Sequence, residues 1–283
     1  MNRRAIVGAL GALLVSAGAA VLAANLAPKR QAQGGGAPRL VSLSPALTET
    51  VLALGGANQL VGVSDYCELP KPLKLPRLGS SLTPNYEAIA GLHPSLVLCD
   101  DSAGAKRAEL GALARAEFLP WLTLAEVVRS TARLGQLLGQ PVAGNALAQK
   151  LEARLSRQPP AGAPRVLLLL SYDPDRPAEI WFIKQNSLHG AALSAAGARN
   201  AVPRDVPGLP RLGVEQLLEI DPDLVLILPP PGATPARQQE LVRAFSALAP
   251  LRAVKAGRVK CINGNQSVGP SILELVDAIE AAL

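Results

Sequence analysis

Residues 87–98 read EAIAGLHPSLVL, and residues 215–226 read EQLLEIDPDLVL. Glu, Pro, Leu, Val and Leu fall at the same offsets, and most other positions exchange one apolar residue for another. Each copy reads as a short helix, a proline turn and an apolar strand. A unit of that kind present twice predicts two similar lobes. Two copies at so long a period exclude a solenoid.

The flanking sequence has the same alternation. Leu40 to Leu43, Leu60 to Val63 and Leu96 to Cys99 read as strands of the first lobe. Between the first two, Ser44 and Pro45 open a helix as N-cap and first helical residue, and Gly55-Gly56 ends it. In the second lobe Arg165 to Leu170 is a continuous apolar run, as expected for a strand buried on both faces. Ser187 or Asn186 caps a helix that runs to Gly197. Leu224 to Leu228 and Arg258 to Ile262 read as strands, and Ser271 to Leu283 as a closing amphipathic helix. Strands alternating with helices give an α/β fold of Rossmann-like lobes with mainly parallel sheets.

Between the lobes lies Leu124 to Gln158, strongly helix-forming and broken at Gly139-Gln140-Pro141. Its second piece offers about 17 helical residues, a rod of about 25 Å. A single long helix joining two lobes implies limited bending rather than wide opening. The expected organisation is a leader over 1–38, a first lobe over 39–140, the interlobe helix over 141–158 and a second lobe over 159–283.

The leader differs from the rest in composition. Arg3 and Arg4 precede an uncharged run from Ala5 to Ala24, then a Gly-rich stretch. Basic residues, an apolar run and small residues form the layout of an export signal. The run nearly reaches a membrane span, so an uncleaved anchor is the alternative. Arg3, Arg4, Lys29 and Arg30 supply four of the six net positive charges, leaving two on the remainder. A body so close to neutral gives no reason to expect nucleic acid.

There are three cysteines, Cys67, Cys99 and Cys261, and two histidines, His93 and His189. None of the cysteines has CxxC spacing, so a protein-built metal site has little to draw on. Cys67 and Cys99 both follow strands; they are either a disulfide or two buried thiols.

The stretch RLVSLSPALTETVLALGGANQLVGV (39–63), the two repeat copies NYEAIAGLHPSLVL (85–98) and GVEQLLEIDPDLVL (213–226), and the closing VGPSILELVDAIEAAL (268–283) stand in an order that resembles class III periplasmic binding proteins. That family includes receptors for vitamin B12, ferric siderophores and haem. The resemblance covers residues 39–283. It implies two α/β lobes bridged by one helix, with ligand held in the cleft between them. It implies no cofactor, a monomer, an ABC permease dimer as partner and a periplasmic location.

The same resemblance assigns Glu87 and Glu215, the matching acids of the repeat, to permease docking. An acid in the first turn of a helix also complements the helix dipole, and that alone would account for either residue. Their duplication favours docking. Ligand contacts are expected from loops at the strand ends: Tyr66, where cobalamin receptors of the family offer an aromatic, with Ser80, Ser81 and Asp101 in the first lobe. Tyr172, Trp181, Phe182 and Asn265 are the candidates across the cleft. Trp181 and Phe182 read equally well as core, and Asp100 and Asp101 as a solvated turn. A flat aromatic face suits a corrinoid, with an iron chelate, a siderophore or haem, as the alternative.

Rival classes find less support. There is no Gly-rich phosphate loop and no GxSxG elbow. Ser44 sits where a nucleophile could, but Pro45 follows it and no histidine lies nearby in sequence. The chain therefore reads as a binding protein and not an enzyme. A membrane-anchored sensor on the same fold is the remaining alternative.

Overall fold

The computed structural model describes residues 38–100, 106–177, 179–205, 210–230, 232–248, 250–262 and 269–283. In the first lobe β1 (Leu40–Ser42), β2 (Leu60–Val63), β3 (Leu96–Asp100) and β4 (Arg115–Leu119) form a sheet in the order β2-β1-β3-β4. All three pairings are parallel. The connecting helices are α1 (Pro45–Ala53), α2 (Tyr86–Gly91) and α3 (Arg107–Leu113). Ser44 takes the extended N-cap conformation before Pro45 but makes no side-chain cap; Gly55 closes the helix at φ +75°.

Two helices follow, α4 (Leu124–Leu137) and α5 (Pro141–Leu155). Thr123 and Glu126 form a reciprocal capping box that starts α4. Gly135 and Gly144 set the crossing of the pair: a Cβ on either would come within 2.6 Å of the other's Cα.

The second lobe holds β5 (Arg165–Ser171), β6 (Ile180–Phe182), β7 (Arg199–Asn200), β8 (Arg211–Leu212), β9 (Leu224–Ile227) and β10 (Val259–Cys261), in the order β10-β9-β5-β6-β8 with β7 beside β5. Here β9, β7 and β10 are parallel to their neighbours, whereas β6 runs antiparallel to β5 and to β8. Residues 172–179 between β5 and β6 are too few for a parallel crossover, so the strand folds back. Helices α6 (Leu188–Ala195), α7 (Val214–Ile220), α8 (Pro235–Leu248), α9 (Arg252–Lys255) and α10 (Ile272–Ala282) complete the chain. Ser187 caps α6, accepting from Gly190 N at 3.0 Å.

The duplication reaches individual bonds. Helix α2 leads into β3 beside β1, and α7 into β9 beside β5. Arg39 N donates to Ser95 Oγ and Arg165 N to Asp223 Oδ2, both at 2.9 Å. The Arg39 guanidinium reaches Leu92 O at 2.8 Å, and that of Arg165 reaches Ile220 O at 2.6 Å. Among the described residues the only non-glycine positions at positive φ are His93 and Asp221, at the same place before the repeat's proline. His and Asp are among the residues that tolerate that region best.

Side chains alternate along the strands between two cores. Leu96 and Leu98 of β3, Val166 and Leu168 of β5, and Leu224 and Leu226 of β9 enter one core. It also contains Leu47 and Val51 of α1, Leu151 and Leu155 of α5, and Leu275 and Val276 of α10. Their neighbours turn the other way: Val97 and Cys99 into a core private to the first lobe, Leu167, Leu169, Val225 and Ile227 into one private to the second. Each sheet thus gives one face to a core shared across the lobes, with α5 in it. Arg154 of α5 donates to Glu280 at 2.7 Å and to Asp277 at 2.8 Å, tying the rod to α10.

Candidate functional site

Because the four strands of the first lobe are parallel, the loops that follow them emerge at one edge. In open α/β sheets that carboxyl edge is where ligands bind. Three large apolar side chains stand exposed there: Tyr66 after β2 at 75 %, Leu82 at 65 % and Leu122 after β4 at 72 %. The loop of Leu82 is placed at this edge by Ser81, whose hydroxyl donates to Leu43 O just past β1 at 2.8 Å and lies 3.4 Å from Asp100 Oδ2 at the end of β3. Exposed apolar groups at a strand-end edge are candidates for a binding surface.

Tyr66 is exposed, but its backbone is held. Its N–H donates to Ser64 Oγ at 3.3 Å. Beneath it Ser42, Thr48, Ser64 and Cys67 form a buried polar network, with Thr48 Oγ1 2.8 Å from Ser42 Oγ and 3.1 Å from Cys67 Sγ. Arg77 donates to Ser64 O at 2.9 Å and to Cys67 O at 2.5 Å. Asp65 Oδ1 accepts from Gly79 N at 3.1 Å, coupling this loop to the next one. Gly79 is required there: φ is +80° and a Cβ would run into Thr83 O. The result is an exposed aromatic tip on a fixed loop.

Ser80 and Ser81, read from the sequence as ligand contacts, serve the scaffold in this structure. Ser80 Oγ lies 3.0 Å from Thr83 Oγ1 within the turn, and Ser81 is buried at 7 % exposure with its hydroxyl on Leu43 O. Leu82 and Leu122 were not singled out by sequence. Their one signal is an apolar residue inside a polar, proline-containing loop at a strand end.

Across the cleft the expectations need correction. Phe182 is 1 % exposed and Tyr172 5 %, both in the second lobe's private core. The ring of Tyr172 meets Phe245 edge-on, centroids 5.2 Å apart at 81°. Burial, and then Asp173, push its phenol pKa up. Residues on one face of a strand go inward whatever their chemistry. Trp181, on the other face of β6, is half-buried opposite Ser171 at the carboxyl end of β5 and remains at the edge. Asp101 and Asn265 lie outside the described residues.

Glu87 and Glu215 are both exposed in the first turns of α2 and α7. Asn85 caps α2 by accepting from Ala88 N at 3.0 Å, and Gln216 Oε1 accepts from Gly213 N at 2.9 Å at the start of α7. The glutamates are therefore not needed as caps.

Cys67, Cys99 and Cys261 are free thiols, the first two buried. Burial, and then the Asp100 carboxylate, push the Cys99 thiol up to about 12, so it is packing rather than chemistry. Among the described residues no three His, Cys, Asp or Glu come together as a metal-holding group. Among them too, no helix is long and apolar enough to cross a membrane.

The family model for periplasmic binding proteins matches residues 40–265. A cobalamin-binding protein of Halobacterium salinarum is 27 % identical over 248 residues, which cover 82 % of this chain and 65 % of that protein. The chain thus spans just under two thirds of that relative's length. A periplasmic haem-binding protein from Pseudomonas aeruginosa superposes with a TM-score of 0.71 at 28 % identity, covering 87 % of this chain and 92 % of that one. The periplasmic vitamin B12-binding protein of Vibrio cholerae superposes with a TM-score of 0.68 at 25 % identity, covering 87 % and 96 %.

Proposed function

The chain belongs to the periplasmic binding protein family, and from that premise we propose that it is the exported solute receptor of an ABC importer, holding cobalamin or a related corrinoid between its lobes. The observation that carries this is the exposed trio Tyr66, Leu82 and Leu122 on the strand-end edge of the first lobe. Exposed apolar side chains at one edge suit the face of a macrocycle, and a cleft between lobes is the usual place for a small-molecule site. Trp181 at the facing edge is the candidate from the second lobe. The cobalamin-binding relative supports the choice of cargo.

The same edge supports a second reading, haem. The phenol of Tyr66 is exposed at the site, and a tyrosine oxygen is a known axial ligand of haem iron. The haem-binding relative is as similar as the cobalamin-binding one.

Capture is non-covalent. The lobes, 39–140 and 159–283, shift slightly about the 141–158 segment, and Glu87 and Glu215 seat the loaded receptor on the permease. Residues 1–38 direct export to the periplasm.

Titrating Tyr66→Phe and Tyr66→Ala separates the cargoes. Phe keeps the ring and loses the oxygen. Retained cobalamin binding in Tyr66→Phe, with about tenfold weaker binding in Tyr66→Ala, supports the corrinoid. Loss of haem binding and of its visible-absorption shift in Tyr66→Phe supports haem ligation. Unchanged affinity for every cargo in Tyr66→Ala removes Tyr66 from the site.

A further inference from the structure

We propose that Glu49 is a positioning residue that fixes the separation of the two lobes. Glu49 lies in the second turn of α1, in the first lobe. Its carboxylate accepts the N–H of Ser271, which immediately precedes α10 in the second lobe. The two residues are 222 positions apart in the chain.

Three observations make this contact a joint rather than a chance approach. The first is electrostatic. A carboxylate at the start of an eleven-residue helix meets the positive end of the dipole, and it takes the N–H of Ser271 while those of Ile272, Leu273 and Glu274 are bonded within the first turn. A hydrogen bond to a charged acceptor is stronger than a neutral one. The second is steric. A Cβ on Gly269 would lie 2.6 Å from Glu49 Cδ, so any side chain there must push the carboxylate aside. The third is placement. Glu49 sits between Leu47 and Val51, and Ser271 next to Ile272, all members of the core shared by the lobes. The joint borders the shared core between the middle of α1 and the start of α10.

Both helices begin at carboxyl edges, α1 directly after β1 and α10 after the loop that follows β10. The joint is therefore on the ligand side of the molecule and governs the width of the cleft. It is independent of which cargo the cleft takes.

Spin labels at Ala108→Cys (α3) and Ala236→Cys (α8), both exposed, read the interlobe distance in the full chain without ligand, with Cys261→Ser as background. Glu49→Ala broadens the distance distribution, and the Ser271 amide exchanges with solvent about tenfold faster, as for loss of one hydrogen bond to a charged group. Gly269→Ala, which displaces the carboxylate without removing it, does the same. Glu49→Gln, which keeps an acceptor oxygen but loses the charge, falls between Glu49→Ala and the parent. A parent-like distribution in both Glu49→Ala and Gly269→Ala, with the amide still protected, overturns the proposal. If Glu49→Ala proves too unstable to measure, the contrast between Gly269→Ala and Glu49→Gln decides alone. Because no cargo is added, failure of the cobalamin or haem reading leaves this outcome untouched.

Discussion

Aromatic residues divide by the face they occupy, not by their type. Tyr66 follows a strand and points out of the sheet edge, while Phe182 and Tyr172 take the inward positions of the second lobe. Phe182→Ala is expected to cost about 3–5 kcal/mol of stability through the cavity it opens, with ligand affinity per folded molecule unchanged. A chemical denaturation curve and a titration on the same sample check both halves. Tyr66→Ala should do the reverse, sparing the unfolding midpoint. Tyr66 was legible in the sequence because aromatics are scarce and this one ends a strand. Phe182 was misplaced because its immediate neighbours, Ile180, Trp181 and Ile183, are all apolar and give no alternation to orient the strand. Leu82 and Leu122 were illegible because a leucine's letter says nothing of its exposure; only the tertiary position of the two loops turns them into a surface.

Elements were read well where burial is two-sided. The strands β1, β2, β3, β5 and β9 are continuous apolar runs because each serves a shared and a private core at once. Strand β4 escaped notice for the opposite reason: at the sheet's edge it carries Arg115 and Glu117 and buries only Leu119 fully. Strands β6 and β8 are too short to have a pattern. The Gly139-Gln140-Pro141 break and the helix after it, Pro141–Leu155, were legible in the sequence, and the clasp of that helix to α10 has a measurable consequence. Arg154 holds the Glu280 carboxyl below the usual carboxylate range through direct hydrogen bonds. A carboxylate lowered in the folded state stabilises above its unfolded pKa, and that contribution is lost as pH falls through the folded value. Stability should therefore drop on acidification below about pH 4 by more in the parent than in Arg154→Ala. At neutral pH the substitution should cost only about 0.5–1 kcal/mol, since the partners are solvent-exposed. Thermal melts at pH 7 and at pH 3–4 measure the difference.

At the scale of the molecule, the duplicated unit does two things. It builds equivalent halves down to the arginine bonds at β1 and β5, and it presents one exposed glutamate from each lobe at equivalent positions. Paired charges on separated lobes set orientation on a partner more than affinity. Glu87→Ala combined with Glu215→Ala should leave cargo affinity unchanged and abolish uptake in cells; uptake at the parent rate would remove both residues from the docking surface. The core shared by the lobes, with α5 inside it, opposes wide opening, and the proposed receptor is therefore expected to recognise cargo on a preformed edge rather than by closure around the solute.

That central claim is tested most directly by calorimetric titration of the purified protein, freed of residues 1–38, with cyanocobalamin, haemin and a ferric siderophore in parallel. The account predicts tight one-to-one binding of a single tetrapyrrole cargo, cobalamin first. Absence of binding to all three, by protein shown to be folded, would contradict it.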